Sequence, residues 1–85
     1  MSKRIEWSQH AVDTLQGLDR RAREYLFRAA AHFADTGQGD VTRALGRTEY
    51  RLRSGKWRLL VTVDGDALRV HQVALGGVAY HHATA

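Results

Sequence analysis

Apolar residues recur along this chain with two different periods, and the change from one to the other divides the sequence into a helical half and a strand half. Arg4 to Trp7 predicts a short strand with Ile5 and Trp7 on one face. Ser8 follows as a helix N-cap, because its hydroxyl can accept from a free backbone N–H. Ala11, Val12, Leu15 and Leu18 then fall at helical spacing, and Gly17 marks a break. Asp19 caps a second, longer helix with an apolar stripe of Ala22, Leu26, Ala29, Ala30 and Phe33. Arg20, Arg21, Arg23 and Arg28 lie mostly outside that stripe, and Gly37 is the expected stop. The two pieces predict a helical hairpin whose small alanines allow it to lie close against a sheet.

Gly37-Gln38-Gly39-Asp40-Val41 is a loop by composition, and residues 42–48 lead into the sheet. From Glu49 the period becomes two. Tyr50 and Leu52 alternate with Arg51 and Arg53, and Trp57, Leu59, Val61 and Val63 alternate with Arg58, Leu60 and Thr62. Ser54-Gly55 is the turn between these runs and Asp64-Gly65-Asp66 a second turn. Leu68 and Val70 continue the apolar face, opposed by Arg69 and His71, and Gly76-Gly77 frees a short tail. The expected architecture is one α+β domain over residues 1–85, with an N-terminal short strand and helical hairpin packed on a small antiparallel sheet of three to four strands.

Length and composition narrow the chemistry. Eighty-five residues bury only roughly 60–65% of the unfolded surface, enough for a single core. Cysteine is absent, which excludes disulfides and thiolate metal sites and fits a reducing cytoplasm. The opening residues carry no apolar stretch of signal length, and no run approaches a membrane span, so a cytoplasmic protein without a membrane partner is expected. Thirteen Lys and Arg against nine Asp and Glu give a formal charge of +4, which favours a polyanionic partner. The placement of the cations matters more than their sum: Arg43, Arg47, Arg51, Arg53, Lys56 and Arg58 fall in one segment beside a single acid, Glu49.

With Ser54-Gly55 as a two-residue loop, Arg53 is expected opposite Lys56, Leu52 opposite Trp57, Arg51 opposite Arg58 and Tyr50 opposite Leu59. A loop at Gly55-Lys56 moves each partner by two and leaves the faces unchanged. The same logic through Asp64-Gly65 places His71 opposite Arg58 and Arg69 opposite Leu60. One face is then apolar and the other cationic. Like charges directly opposite cost roughly 0.2–1 kcal/mol per exposed pair, so their retention points to a phosphate site; the alternative is arginines that splay into water or answer acids elsewhere. Arginine predominates, and its planar fork matches phosphate oxygens bidentately.

The string Glu49-Tyr50-Arg51-Leu52-Arg53-Ser54-Gly55-Lys56-Trp57-Arg58-Leu59-Leu60-Val61, followed by Asp64-Gly65-Asp66 and a late tyrosine, resembles the core strands of RelE/ParE-type toxins. Gly37-Gln38-Gly39-Asp40-Val41 and the opening Ile5-Glu6-Trp7-Ser8 are similar too, so the resemblance covers essentially the whole chain in order. It implies a RelE-like microbial RNase architecture and a type II toxin neutralised by an acidic antitoxin, partly disordered when free. In the RelE branch it implies cofactor-free and metal-free cleavage of mRNA on the ribosome, in which the 2′-hydroxyl attacks the adjacent phosphate. Carried over by position, Arg58 would stabilise the phosphate and Arg51 contact the scissile region. Arg53 and Lys56 would hold flanking RNA, with Arg43, Arg47, Arg69 and His71 as further RNA contacts. Tyr80 would stack on a base or join proton transfer, and His81 or His82 would act as general acid or base. The chain departs from the pattern at Gly76-Gly77, where such nucleases often carry an arginine, and at Glu49, where lysine is common. In the ParE branch the target is DNA gyrase, with the basic face as a docking surface; a plain RNA-binding domain is a further alternative.

The five histidines show no metal-ligand spacing, and His10 and His32 fall on helices, where a surface position is the ordinary reading. Trp7, Tyr50 and Trp57 offer stacking surfaces, but their alternation with Leu52 and Leu59 assigns them to the core. The arginines of the second helix read as a solvated face.

Overall fold

A computed structural model, which describes residues 3–43 and 49–76, shows two helices laid against one face of a five-stranded mixed sheet. Strand β1 spans Arg4–Trp7, helix α1 Gln9–Gln16 and helix α2 Arg20–Thr36. Strands β2 (Asp40–Arg43), β3 (Glu49–Ser54), β4 (Trp57–Asp64) and β5 (Ala67–Leu75) follow. The helix ends fall where their capping residues put them. The Ser8 hydroxyl accepts from the Ala11 N–H at 3.0 Å and the Asp19 carboxylate from the Ala22 N–H at 2.8 Å. Gly37 closes α2 in the left-handed region at φ 71°, its N–H donating to the Phe33 carbonyl.

The sheet order is β1-β5-β4-β3-β2. The helical hairpin carries the chain from one edge strand to the other, and the meander β2-β3-β4-β5 returns it, so that β5 docks parallel to β1 with Ile5 beside Leu68 and Trp7 beside Val70. This corrects the expected antiparallel sheet of three to four strands. Two strands account for the difference. The β1–β5 pairing joins segments far apart in sequence, and neither segment carries a local sign of its partner. Strand β2 was expected to be loop up to Val41; only four residues long, it is a strand because β3 offers it an edge, with Val41 opposite Leu52.

Both hairpin turns differ from expectation in the same way. The loops are Gly55-Lys56 and Gly65-Asp66, since Ser54 pairs with Trp57 and Asp64 with Ala67. Gly55 and Gly65 have φ of 59° and 60°, and no other residue type adopts positive φ among the described residues. Glycine thus occupies the first central position, as in a type II′ turn, instead of the second, which spares Ser54 and Asp64 a strained backbone. The β3–β4 partners move by two and the faces survive: Leu52 is opposite Leu59, and Arg53 opposite Arg58.

The helix-covered face holds the core. Leu26, Leu59, Leu68, Val61 and Val70 are fully buried, and Ala11, Ala30 and Ala34 let the helices approach closely. Tyr50 and Trp57 pack at its margin as expected, with the Tyr50 ring 6.1 Å from Phe33. Among the described residues no helix is long and apolar enough to cross a membrane. Leu59 lies in a central strand with no exposed surface, so Leu59→Ala is expected to lower stability by about 2–5 kcal/mol in denaturant unfolding, the range for an unrelaxed core cavity.

Candidate nucleic-acid interface

Because both helices lie on one face, the opposite face carries the alternate residues of every strand, and their charges separate into two zones. At the end near the β3–β4 turn, Arg51 and Arg53 of β3, Arg58 of β4 and Asp40 and Thr42 of β2 line a shallow depression of about 260 Å³. Arg53 faces Arg58 directly across the ladder and is also 3.5 Å from the Asp40 carboxylate. Arg58 is held differently. Its Nη1 donates to the Gly55 carbonyl at 3.1 Å and the Trp57 carbonyl at 2.9 Å, and among the described residues it has no carboxylate partner. Arg51 is opposite Leu60, not Arg58, a consequence of the glycine-first turn.

At the other end the charges neutralise one another. Arg69 donates to Glu6 and to Asp64, both at 2.9 Å, while Arg4 reaches Glu6 at 3.0 Å and Asp66 at 3.4 Å. The hydrogen bond from Arg69, then that from Arg4, holds the Glu6 carboxyl below the usual glutamate range; the same contact with Glu6 raises Arg69 above its ordinary value. Arg69, expected to contact RNA, is therefore committed to an acidic neighbourhood away from the depression.

His71 also lies away from Arg58, contrary to the expected pairing. The Gly65-Asp66 loop moves the β4–β5 partners by two, and a bulge between Leu60 and Val61, where Val61 faces Val70 but Leu60 faces Gln72, moves them by one more, so Arg58 meets Ala74. The His71 ring instead sits with Nε2 2.8 Å from the Thr62 hydroxyl, and its carbonyl accepts from Ser8 at 2.7 Å. Lys56 leaves the cationic row as well, because it occupies the turn and places Nζ 5.7 Å from the Trp57 ring centre.

No protein-family model matches this sequence, and no curated protein does. Solved structures do. RelE in the archaeal RelE–RelB complex of Pyrococcus horikoshii matches with a TM-score of 0.78 and 18% identity over 92% of this chain and 99% of that one. A mutant E. coli RelE in the free state gives 0.76 and 17% over 98% and 93%, and the RelBE2 complex of Mycobacterium tuberculosis 0.72 and 18% over 88% and 92%. The fold is that of the RelE toxins. At these identities the likeness is one of backbone, and the chemistry has to be read from this chain's own side chains.

Within the RelE-like fold, the structure brings Arg51, Arg53 and Arg58 together and separates Lys56, Arg69 and His71 from them. Arg43 is in β2 opposite Tyr50; Arg47, Tyr80, His81 and His82 lie outside the described residues. Asp40 and Thr42 were missed, although their alternation about Val41 is a strand signal, if a short one. His10 and His32 are exposed on their helices, and Arg20 pairs with Glu24 at 3.0 Å on the solvated face of α2. Among the described residues no three His, Asp or Glu side chains converge as a metal site needs.

The ion-pair zone makes a pH prediction. Since the folded state lowers the Glu6 pKa, the associated stability is present above the ordinary glutamate value and is lost as pH falls through the folded value. Glu6→Gln is expected to lower Tm slightly at neutral pH and to flatten the acid limb of a Tm-against-pH curve. Parallel wild-type and variant curves would show that the network contributes no linkage.

Proposed function

We propose that this protein is the toxin of a toxin–antitoxin pair and stops translation by ribosome-dependent, metal-free cleavage of mRNA at the cationic end of its uncovered sheet face. The observation that carries this reading is the cluster of Arg51, Arg53 and Arg58 in one depression on a RelE fold, with Arg58 oriented by two carbonyls and lacking an acidic partner among the described residues. The net charge of +4 suits both a polyanionic substrate and an acidic antitoxin, and solved relatives of the fold are RelE–RelB complexes.

In the proposed reaction the 2′-oxygen of one nucleotide attacks the adjacent phosphorus and the 5′-oxygen of the next leaves, giving a 2′,3′-cyclic phosphate and a 5′-hydroxyl. One proton must leave the attacking hydroxyl and one must reach the leaving oxygen. Negative charge gathers on the non-bridging phosphoryl oxygens, and Arg58 is the group assigned to stabilise it. Arg51 contacts the scissile region. Arg53, partly answered by Asp40, holds a flanking phosphate, with Arg43, Arg47 and Lys56 as outer contacts. Tyr80 stacks on a base or joins proton transfer, and His81 or His82 acts as general acid or base.

Mapping mRNA ends after expression, with and without translation, tests the reading. Cuts that require translation support it; intact messages with an induced DNA-damage response point to the gyrase target instead. Arg58→Ala is expected to reduce cleavage by about 10²–10³, the cost of removing one oriented charge-stabilising donor, without lowering Tm. Undiminished cleavage rejects Arg58 as the phosphate group. Arg51→Ala is expected to weaken binding of a single-stranded RNA and to flatten its dependence on salt by about one phosphate contact. Affinity that is insensitive to salt in the wild type rules out an electrostatic surface.

A further inference from the structure

Arg58 meets Gly76 just past the end of β5. The Gly76 N–H donates to the Lys56 carbonyl at 2.9 Å, which draws its α-carbon up to the β3–β4 turn. The guanidinium of Arg58 occupies the place a side chain would take. A β-carbon built on Gly76 has its three nearest atoms all in Arg58: Cζ first, then Nη2 at 2.6 Å and Nε at 2.7 Å. A position nearest the central carbon, with two nitrogens slightly farther, is above the face of the planar group. An approach within the plane would meet the nitrogens first.

Gly76 does not need to be glycine for its backbone. The described glycines with positive φ are Gly37, Gly39, Gly55 and Gly65, and Gly76 is not among them. An alanine there would meet no strained dihedral, and the group it displaces is the mobile end of a long side chain, not the fold. We infer that Gly76 is a positioning residue that seats the Arg58 guanidinium face-on, leaving its Nε–Nη2 edge to take one phosphate group bidentately. The Gly55 and Trp57 carbonyls already engage Nη1, so the seat and the two hydrogen bonds together define the plane of the fork. The inference rests on the proposed phosphate-binding role of Arg58 and assigns that role its geometry.

The experiment uses the full chain as wild type, Gly76→Ala, Arg58→Ala and the double variant. Two quantities are measured: the Nε–H NMR signal assigned to Arg58, and affinity for a non-cleavable 2′-O-methyl RNA oligonucleotide. Gly76→Ala is expected to keep its Tm, to shift the Arg58 signal, and to lose about tenfold in affinity, as expected for a displaced charge-assisted fork. It should match Arg58→Ala, and the double variant should be no weaker than Arg58→Ala alone. An unchanged Arg58 signal in Gly76→Ala overturns the seat. So does a loss that persists when Gly76→Ala is added to Arg58→Ala, since that effect runs through the backbone. A wild-type chain that does not bind the oligonucleotide overturns the proposed function, while the NMR signal still decides the seat by itself.

Discussion

The left-handed backbone of Gly55 sets which cations share the uncovered face. With glycine at the first central position of the β3–β4 turn, Arg53 is opposite Arg58 and Arg51 opposite Leu60. A turn one residue earlier would have opposed Arg51 to Arg58 and put Lys56 into the row. The same glycine-first geometry lets the Gly55 carbonyl accept from Arg58, so one residue determines both the partner and the orientation of the central guanidinium. The proposed phosphate site is thus built on a main-chain constraint, which is stiffer than a surface ion pair.

Covering only one face has an electrostatic consequence. The helix side absorbs the large apolar residues, and every strand then presents its alternate, mostly polar positions on the other side. Toward β1 and the β4–β5 turn these form the Glu6, Arg69, Asp64, Arg4 and Asp66 network. Such half-exposed pairs contribute little stability individually. Their larger effect is to cancel charge there and leave the net positive field at the Arg51–Arg53–Arg58 end, where a polyanion would be drawn.

Gly76 changes meaning once the sheet is assembled. In the sequence, Gly76-Gly77 departs from the RelE pattern by the loss of a cation. In the structure, the missing side chain is the space into which Arg58 fits. Arg58 is thus seated against backbone and held by two carbonyls, while Arg53 faces it across the ladder.

The local features were legible because their causes are local. Ser8 and Asp19 cap the helices through bonds three residues away, the apolar stripe of α2 follows its own period, and the alternation of Tyr50, Leu52, Trp57 and Leu59 with Arg51, Arg53 and Arg58 separates core from cation whatever the register. The membership of the site was not legible. The parallel docking of β5 on β1 joins strands distant in sequence, while the edge pairing of β2 that adds Asp40 and Thr42, and the turn register and bulge that take His71 from Arg58, depend on loop and bulge geometry that alternation alone does not fix. Periodicity therefore determined by itself which face each residue occupies, since a side chain's direction is set by its own backbone. Only tertiary structure decided which residues on that face touch, since contact is set by strand register, which the alternation of side chains leaves open.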